Sequence, residues 1–206
     1  ANQYTLQFED TSRSVIPTLI GADGLHSIVR EQLIGKCPLR DSQQMCWRGV
    51  TDFKLPASTI GQSYEMWHQG TRFGYVQVNQ QQVYWYFVAN NSLQLTTATL
   101  LQQMEAYPPI VQALVRTTEQ STIYQSPIKD LKPLKQWYYA NGCLLGDAAH
   151  ATTPNMGQGA CQAIEDAYYI AQLLSKEGNS LDFRQFQHTR QAKVNHVVQN
   201  SWLLGK

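Results

Sequence analysis

The sequence predicts an α/β fold with an antiparallel β-sheet inserted into it, and three observations carry that expectation. A short apolar run, Cys143-Leu144-Leu145, stops at Gly146-Asp147 and gives way to small residues and then a helical pattern. An earlier apolar run, Val15 to Ile20, stops similarly at Gly21-Ala22-Asp23-Gly24, ahead of a second helical pattern. Between them the segments MCWRGVTDF, SYEMWH, RFGYVQV and QVYWYFVA read as four strands rich in aromatic and β-branched residues, separated by polar turns. A strand–turn–helix unit at each end of a β-rich middle means that one domain is discontinuous in sequence. The expected division is 1–38 and 137–206 for the α/β domain and 39–136 for the sheet domain.

Taken in order, residues 4–9 alternate as a strand, Asp10 to Ser14 form a turn, and Val15 to Ile20 make a second strand. A helix is predicted over about residues 25–33, with Asp23 as a good N-cap. After the four central strands, two short helical patterns over 96–118 are broken by Pro108-Pro109, and STIYQSPI reads as a further strand. The stretch Lys129–Trp137, with Pro133, is a crossing connection back to the first domain. Helices at about 158–175 and 182–204 complete the chain. The first of these carries an apolar stripe at Ala160, Ile164, Ala167, Ala171 and Leu174, which fits a period near 3.6.

Composition narrows the partners. The formal net charge is +1 and there is no lysine/arginine run, which argues against nucleic acid or an anionic membrane surface. The longest apolar run falls far short of the roughly 20 residues needed to span a bilayer. Cys37, Cys46, Cys143 and Cys161 form no CxxC pair, and no signal-peptide pattern opens the sequence, so a reduced, cytoplasmic setting is expected. The five histidines are scattered without metal-ligand spacing, and no metal site is expected.

Two segments carry the chemistry. In Pro154-Asn155-Met156-Gly157-Gln158-Gly159, two glycines lie at a helix entry, where they weaken the helix by up to about 1 kcal/mol each. Close approach of a ligand to the backbone would explain them. A helix N-terminus offers free N–H groups and a positive dipole end, and Asp147 nearby can accept hydrogen bonds from a sugar hydroxyl. In Asp23-Gly24-Leu25-His26-Ser27-Ile28-Val29-Arg30, the spacing puts Asp23, Ser27 and Arg30 on one helix face. On spacing alone that motif reads as a capped helix with a surface contact.

Together the two segments resemble the FAD-dependent, single-component flavoprotein monooxygenases, the aromatic-ring hydroxylases. LIGADGLHSIVR is similar to the family's D-G-x-x-S-x-x-R fingerprint, and LLGDAAHATTPNMGQGACQAIEDA to its G-D-A-A-H, P-x-x-G-x-G and downstream E-D-A pattern. CWRGVTDF and HTRQAKVNHVVQNSWLLGK extend the likeness to essentially the whole chain, towards the salicylate and urate hydroxylase branch and zeaxanthin epoxidase. The resemblance implies a Rossmann-like FAD/NAD(P)-binding fold of the p-hydroxybenzoate hydroxylase type. The sequence lacks that family's GxGxxG, so an N-terminally truncated form is expected.

The resemblance also implies roles. FAD is the cofactor, with NAD(P)H as co-substrate and a flavin C4a-hydroperoxide as the oxygen donor to a small aromatic or polyene substrate. Gly146 and Asp147 serve the ribityl or ribose hydroxyls, and Pro154 shapes the wall beside the ring system. N–H groups around Gly157, Gln158, Gly159 and Ala160 face its pyrimidine edge. Asp23, Gly24 and Arg30 support the pyrophosphate side and NAD(P)H docking. Arg72, at the start of RFGYVQV, looks like the arginine that orients an anionic substrate, whereas the residues alone allow a solvated strand-end cation. The faces of Tyr84, Trp85 and Tyr86 stay open, because the turn at Asn79–Gln82 leaves the register undetermined. A homodimer is compatible with all of this. So are two other functions: an epoxidase or other oxidoreductase of the same fold, and a non-catalytic interaction module.

Overall fold

The structure, a computed structural model, describes residues 3–96, 99–176 and 182–206. The chain divides into two compact units, residues 1–42 with 129–206, and residues 43–128. The second is thus inserted into the first, and both of its ends fall inside the change of composition that marks the β-rich middle.

In the first unit, β1 (Tyr4–Gln7) and β2 (Arg13–Ile16) form an antiparallel hairpin. β3 (Leu19–Gly21) pairs in parallel with β10 (Gly142–Leu144), which pairs antiparallel with β9 (Tyr138–Tyr139). The single strand expected over Val15–Ile20 is therefore two strands in two sheets. Pro17 separates them, since it has no N–H to donate to a continuing ladder. The helix that follows, α1 (Ile28–Leu33), starts later than expected, and Ser27, not Asp23, is its N-cap.

Helices α4 (Asp147–His150), α5 (Gly159–Lys176) and α6 (Phe183–Leu204) complete this unit. Its core gathers Trp137, Leu144, Ala148, Ile170, Phe186 and Val194, among others. Fully burying a Leu, Ile, Val or Phe side chain stabilises by about 1.5–3 kcal/mol. The apolar stripe of α5 is not its buried side. Ala160, Ile164, Ala167, Ala171 and Leu174 are all exposed, Ile164 at 70%. The buried positions are Gln162, Asp166, Ile170 and Leu173. That spacing is helical too, but its first two members are polar and need partners that periodicity does not reveal.

The inserted unit is built on a sheet of order β5-β6-β7-β4-β8, formed by β4 (Leu39–Asp52), β5 (Ser63–His68), β6 (Thr71–Gln77), β7 (Gln82–Asn90) and β8 (Tyr124–Leu131). The turn before β7 is fixed by Asn79, whose side-chain oxygen accepts from the N–H groups of Gln81 and Gln82. This sets Tyr86 opposite Arg48 and Gly74, and Trp85 opposite Gly49 and Tyr75. One face carries Trp47, Phe73, Trp85 and Phe87, which pack in one core with Leu100 of α2 (Leu100–Gln103) and with Val111 and Leu114 of α3 (Pro109–Thr117). The other face carries Arg48, Arg72, Gly74, Tyr84 and Tyr86. The aromatic run is therefore split, with Trp85 in the core and its two tyrosine neighbours turned away from it.

All four cysteines are free thiols. Among the described residues no helix is long and apolar enough to cross a membrane, and no group of three or more His, Cys, Asp or Glu could hold a metal ion.

Candidate cofactor site

The site begins where β10 ends. Gly146 takes φ 57° and ψ −143°, a conformation open essentially only to glycine, and so turns the chain out of the sheet. Its carbonyl accepts from the N–H groups of Ala149 and His150, which closes the single turn of α4. Its own N–H donates to Asp166 Oδ2 at 2.9 Å.

Asp166 is fully buried and holds more than this one group. Its Oδ2 also lies 2.5 Å from His150 Nε2, and its Oδ1 accepts from Arg190 Nε at 2.8 Å. A carboxylate that accepts throughout requires the proton on Nε2 of His150. Burial raises the Asp166 carboxyl, but hydrogen bonds from His150, Arg190 and the Gly146 N–H outweigh it and hold the pKa below its ordinary value. Arg190, only 2% exposed, also donates to the Gln162 side-chain oxygen at 2.8 Å and is paired with Glu165, which Lys193 bridges at 2.7 Å. The Trp137 ring lies 5.1 Å from that of His150. Helices α4, α5 and α6 are thus joined through one carboxylate, and the glycine turn is held from behind.

With that turn fixed, Asp147 is exposed and lines a cavity of about 390 Å³ together with Thr152, Thr153, Pro154, Gly157, Gly159, Ala160 and Ala163. No described residue bonds its carboxylate. The Gly157 N–H donates to the Pro154 carbonyl, so Gly157 contributes its left-handed turn (φ 64°) and not a free donor. Gln162 is the first residue of α5 to bond back, to the Gln158 carbonyl, and the N–H groups of Gly159, Ala160 and Cys161 precede it. The loop is anchored from α6: Thr153 Oγ1 and Ser201 Oγ are 2.8 Å apart, and Asn155 donates to the Ser201 carbonyl at 2.7 Å.

The first motif meets the second by hydrogen bonding. Asp23 accepts from Ser27 Oγ at 2.5 Å and from the Val29 N–H at 3.1 Å. Burial raises its pKa, and these bonds lower it by more. Ser27 Oγ accepts from the Arg30 N–H at 2.8 Å. Arg30 is buried, and its guanidinium donates to the carbonyls of Ala148 at 3.0 Å and Leu25 at 2.8 Å. Arg30 therefore braces α4, while Gly24 (φ 80°) marks the open turn before α1. Of the expected site residues, Asp147, Pro154, Gly157, Gly159 and Ala160 share the cavity. Gly146 and Gln158 adjoin it in the chain, and Asp23 and Arg30 form the bonded layer that reaches Ala148.

Arg72 lies in the inserted unit and is 7% exposed. Its Nη1 is 3.7 Å from Glu65 Oε1, and its guanidinium lies 5.7 Å from the Trp67 ring centre. It is a buried, paired cation and not a solvated strand-end arginine. Sequence reasoning missed Asp166, His150 and Arg190 as a unit. The E-D-A pattern and the His150 that follows Asp147 by three residues were the available signals.

A parallel strand that ends in a glycine–carboxylate turn, beside a cavity edged by a helix N-terminus, has the parts of a nucleotide-cofactor site. The chain belongs to the FAD binding domain family, whose sequence profile matches residues 9–201. It is 37% identical over 196 residues to the aurachin C monooxygenase/isomerase of Stigmatella aurantiaca, covering 91% of this chain and 50% of that protein. It is 29% identical to the 2-heptyl-3-hydroxy-4(1H)-quinolone synthase of Pseudomonas aeruginosa, covering 91% and 51%. Among solved structures, HpxO of Klebsiella pneumoniae complexed with FAD and uric acid superposes with a TM-score of 0.85 at 27% identity, over 100% of this chain and 55% of that one. The chain spans about half the length of the curated relatives it matches.

Proposed function

We propose that this chain supplies the flavin-edge part of an FAD-dependent monooxygenase that uses NAD(P)H and O₂ to hydroxylate a small aromatic substrate. The observation that carries the reading is Asp147: an accessible carboxylate, unpartnered among the described residues, on a cavity that also takes in Pro154, Gly159 and Ala160 at the entry of α5. These residues fit the group. A carboxylate acceptor suits ribityl or ribose hydroxyls, and the free N–H groups at the helix entry suit an edge that gains negative charge on reduction. When bound, FAD supplies the redox and oxygen-transfer chemistry; the protein contributes binding, orientation and electrostatics.

Within that division of labour, Asp147 binds and Gly146 aims it. Pro154 would border the ring of a bound flavin, and Gln158, Gly159 and Ala160 would present donors to it. Asp23 and Arg30 support the site through α1 and the Ala148 carbonyl. Arg72 and its tyrosine neighbours provide the substrate-orienting surface. That surface is polar and hydrogen-bonding, which favours an aromatic substrate with heteroatoms over a polyene hydrocarbon.

Asp147→Ala in the full-length protein is expected to weaken FAD binding by about 1.5–3 kcal/mol, the worth of a charge-assisted hydrogen bond. Titration of the apoprotein with FAD checks this, and an unchanged affinity would refute the assigned role. Full-length protein that neither holds nor takes up FAD would refute the function as a whole.

A further inference from the structure

We propose that the face carrying Arg72 selects a substrate that is uncharged where it meets the guanidinium over an aromatic carboxylate, and that Glu65 sets this preference. The proposal rests on the reading above that this face orients the substrate.

Three neighbouring strands place the parts in one row, with Glu65 opposite Gly74 and Gly74 opposite Tyr86. Gly74 is required there. A Cβ at this position would lie 2.3 Å from the Tyr86 ring, so only glycine lets the tyrosine lie across β6. Lying so, Tyr86 donates its hydroxyl to Glu65 Oε2 at 2.5 Å. Burial, and then the Glu65 hydrogen bond and charge, push the phenol pKa up, so the hydroxyl remains a donor at neutral pH. Glu65 is held by this bond while its other oxygen faces Arg72 at 3.7 Å.

The consequence is a cation that already has its carboxylate. The Arg72 side chain is 8% exposed, so its charge is compensated away from bulk water. A substrate carboxylate arriving there would crowd Glu65, and like charges at close range are penalised. An uncharged ring meets no such penalty. Glu65, 35% exposed, keeps acceptor sites for a ring N–H or hydroxyl. The other charges on this face lie elsewhere. Arg48 donates to Ser126 at 2.8 Å and lies 5.3 Å from the Tyr124 ring centre, and Asp52 accepts from Gln82 at the end of the sheet.

The test uses full-length, FAD-loaded protein and two probes of one ring system: kynurenate, an oxoquinoline carboxylate, and the same oxoquinoline with methyl in place of the carboxylate. Affinities are read from perturbation of the flavin absorbance near neutral pH. The wild type is expected to bind the methyl compound about tenfold more tightly, and Glu65→Gln to shift the ratio about tenfold towards the carboxylate with FAD content unchanged. Tyr86→Phe, which removes the hydroxyl that holds Glu65, shifts it the same way by less, and serves should Glu65→Gln misfold. Tighter binding of kynurenate by the wild type overturns the proposal, as does a ratio indifferent to both substitutions. So does a carboxylate preference abolished by Arg48→Met, which would place the anion site there. FAD-loaded protein that binds neither probe also overturns it and leaves the monooxygenase reading standing, whereas protein without FAD overturns that reading itself.

Discussion

Replacing Asp166 with alanine is expected to destabilise the protein by about 3–5 kcal/mol, the cost of breaking a buried ion pair by removing one partner. Arg190 would keep its charge at 2% exposure, its hydrogen-bond partners among the described residues reduced to the partly exposed Glu165 and the Gln162 oxygens. The Gly146 N–H and the His150 ring nitrogen, both buried, would lose their acceptor. Chemical unfolding checks the magnitude, and a loss below about 1 kcal/mol would mean that the network contributes little. The pH dependence has a definite sign. Because the folded state holds this carboxyl below its ordinary value of 3.8, its contribution is fully present above that value and is lost as pH falls through the folded pKa. Melting temperature should therefore drop with acidification below about pH 4, and Asp166→Asn should flatten that part of the profile.

The same residue shows where the sequence stopped being legible. The strand–turn–helix units and the four central strands could be read because their signals are local: apolar runs, glycine-rich stops and aromatic, β-branched segments. The family resemblance drawn from Asp23–Arg30 and Gly146–Ala167 is borne out by the profile match over residues 9–201. The buried side of α5 could not be read from its apolar stripe, because such a stripe is evidence of burial only when polar residues lack buried partners. Here Gln162 and Asp166 have one, Arg190, which lies on the next helix and looks in sequence like any surface arginine. Similarly, nothing local identifies Glu65 as the partner of Arg72. The pairing depends on the β5–β6 register and on Gly74 admitting the Tyr86 ring.

Gly146→Ala is expected to damage stability and cofactor binding together, because one residue is pivot for both. Its φ of 57° with ψ of −143° belongs to a region essentially closed to residues with a Cβ, and holding alanine there costs about 1–3 kcal/mol. The added Cβ would also lie 3.1 Å from the Ala163 Cβ, on the helix whose N-terminal turn edges the cavity. Relaxing either strain moves the N–H away from Asp166, which forfeits a bond to a charged acceptor worth about 1.5–3 kcal/mol. It also swings Asp147, the next residue, off its place on the cavity wall. The contrast with Asp147→Ala makes the test sharp. That substitution removes an exposed acceptor and should leave the melting temperature nearly unchanged while weakening FAD. Gly146→Ala should lower the melting temperature and weaken FAD by at least as much. If Gly146→Ala keeps wild-type FAD affinity in the full-length protein, the glycine turn does not aim the carboxylate, and the cofactor is held by the α5 helix entry instead.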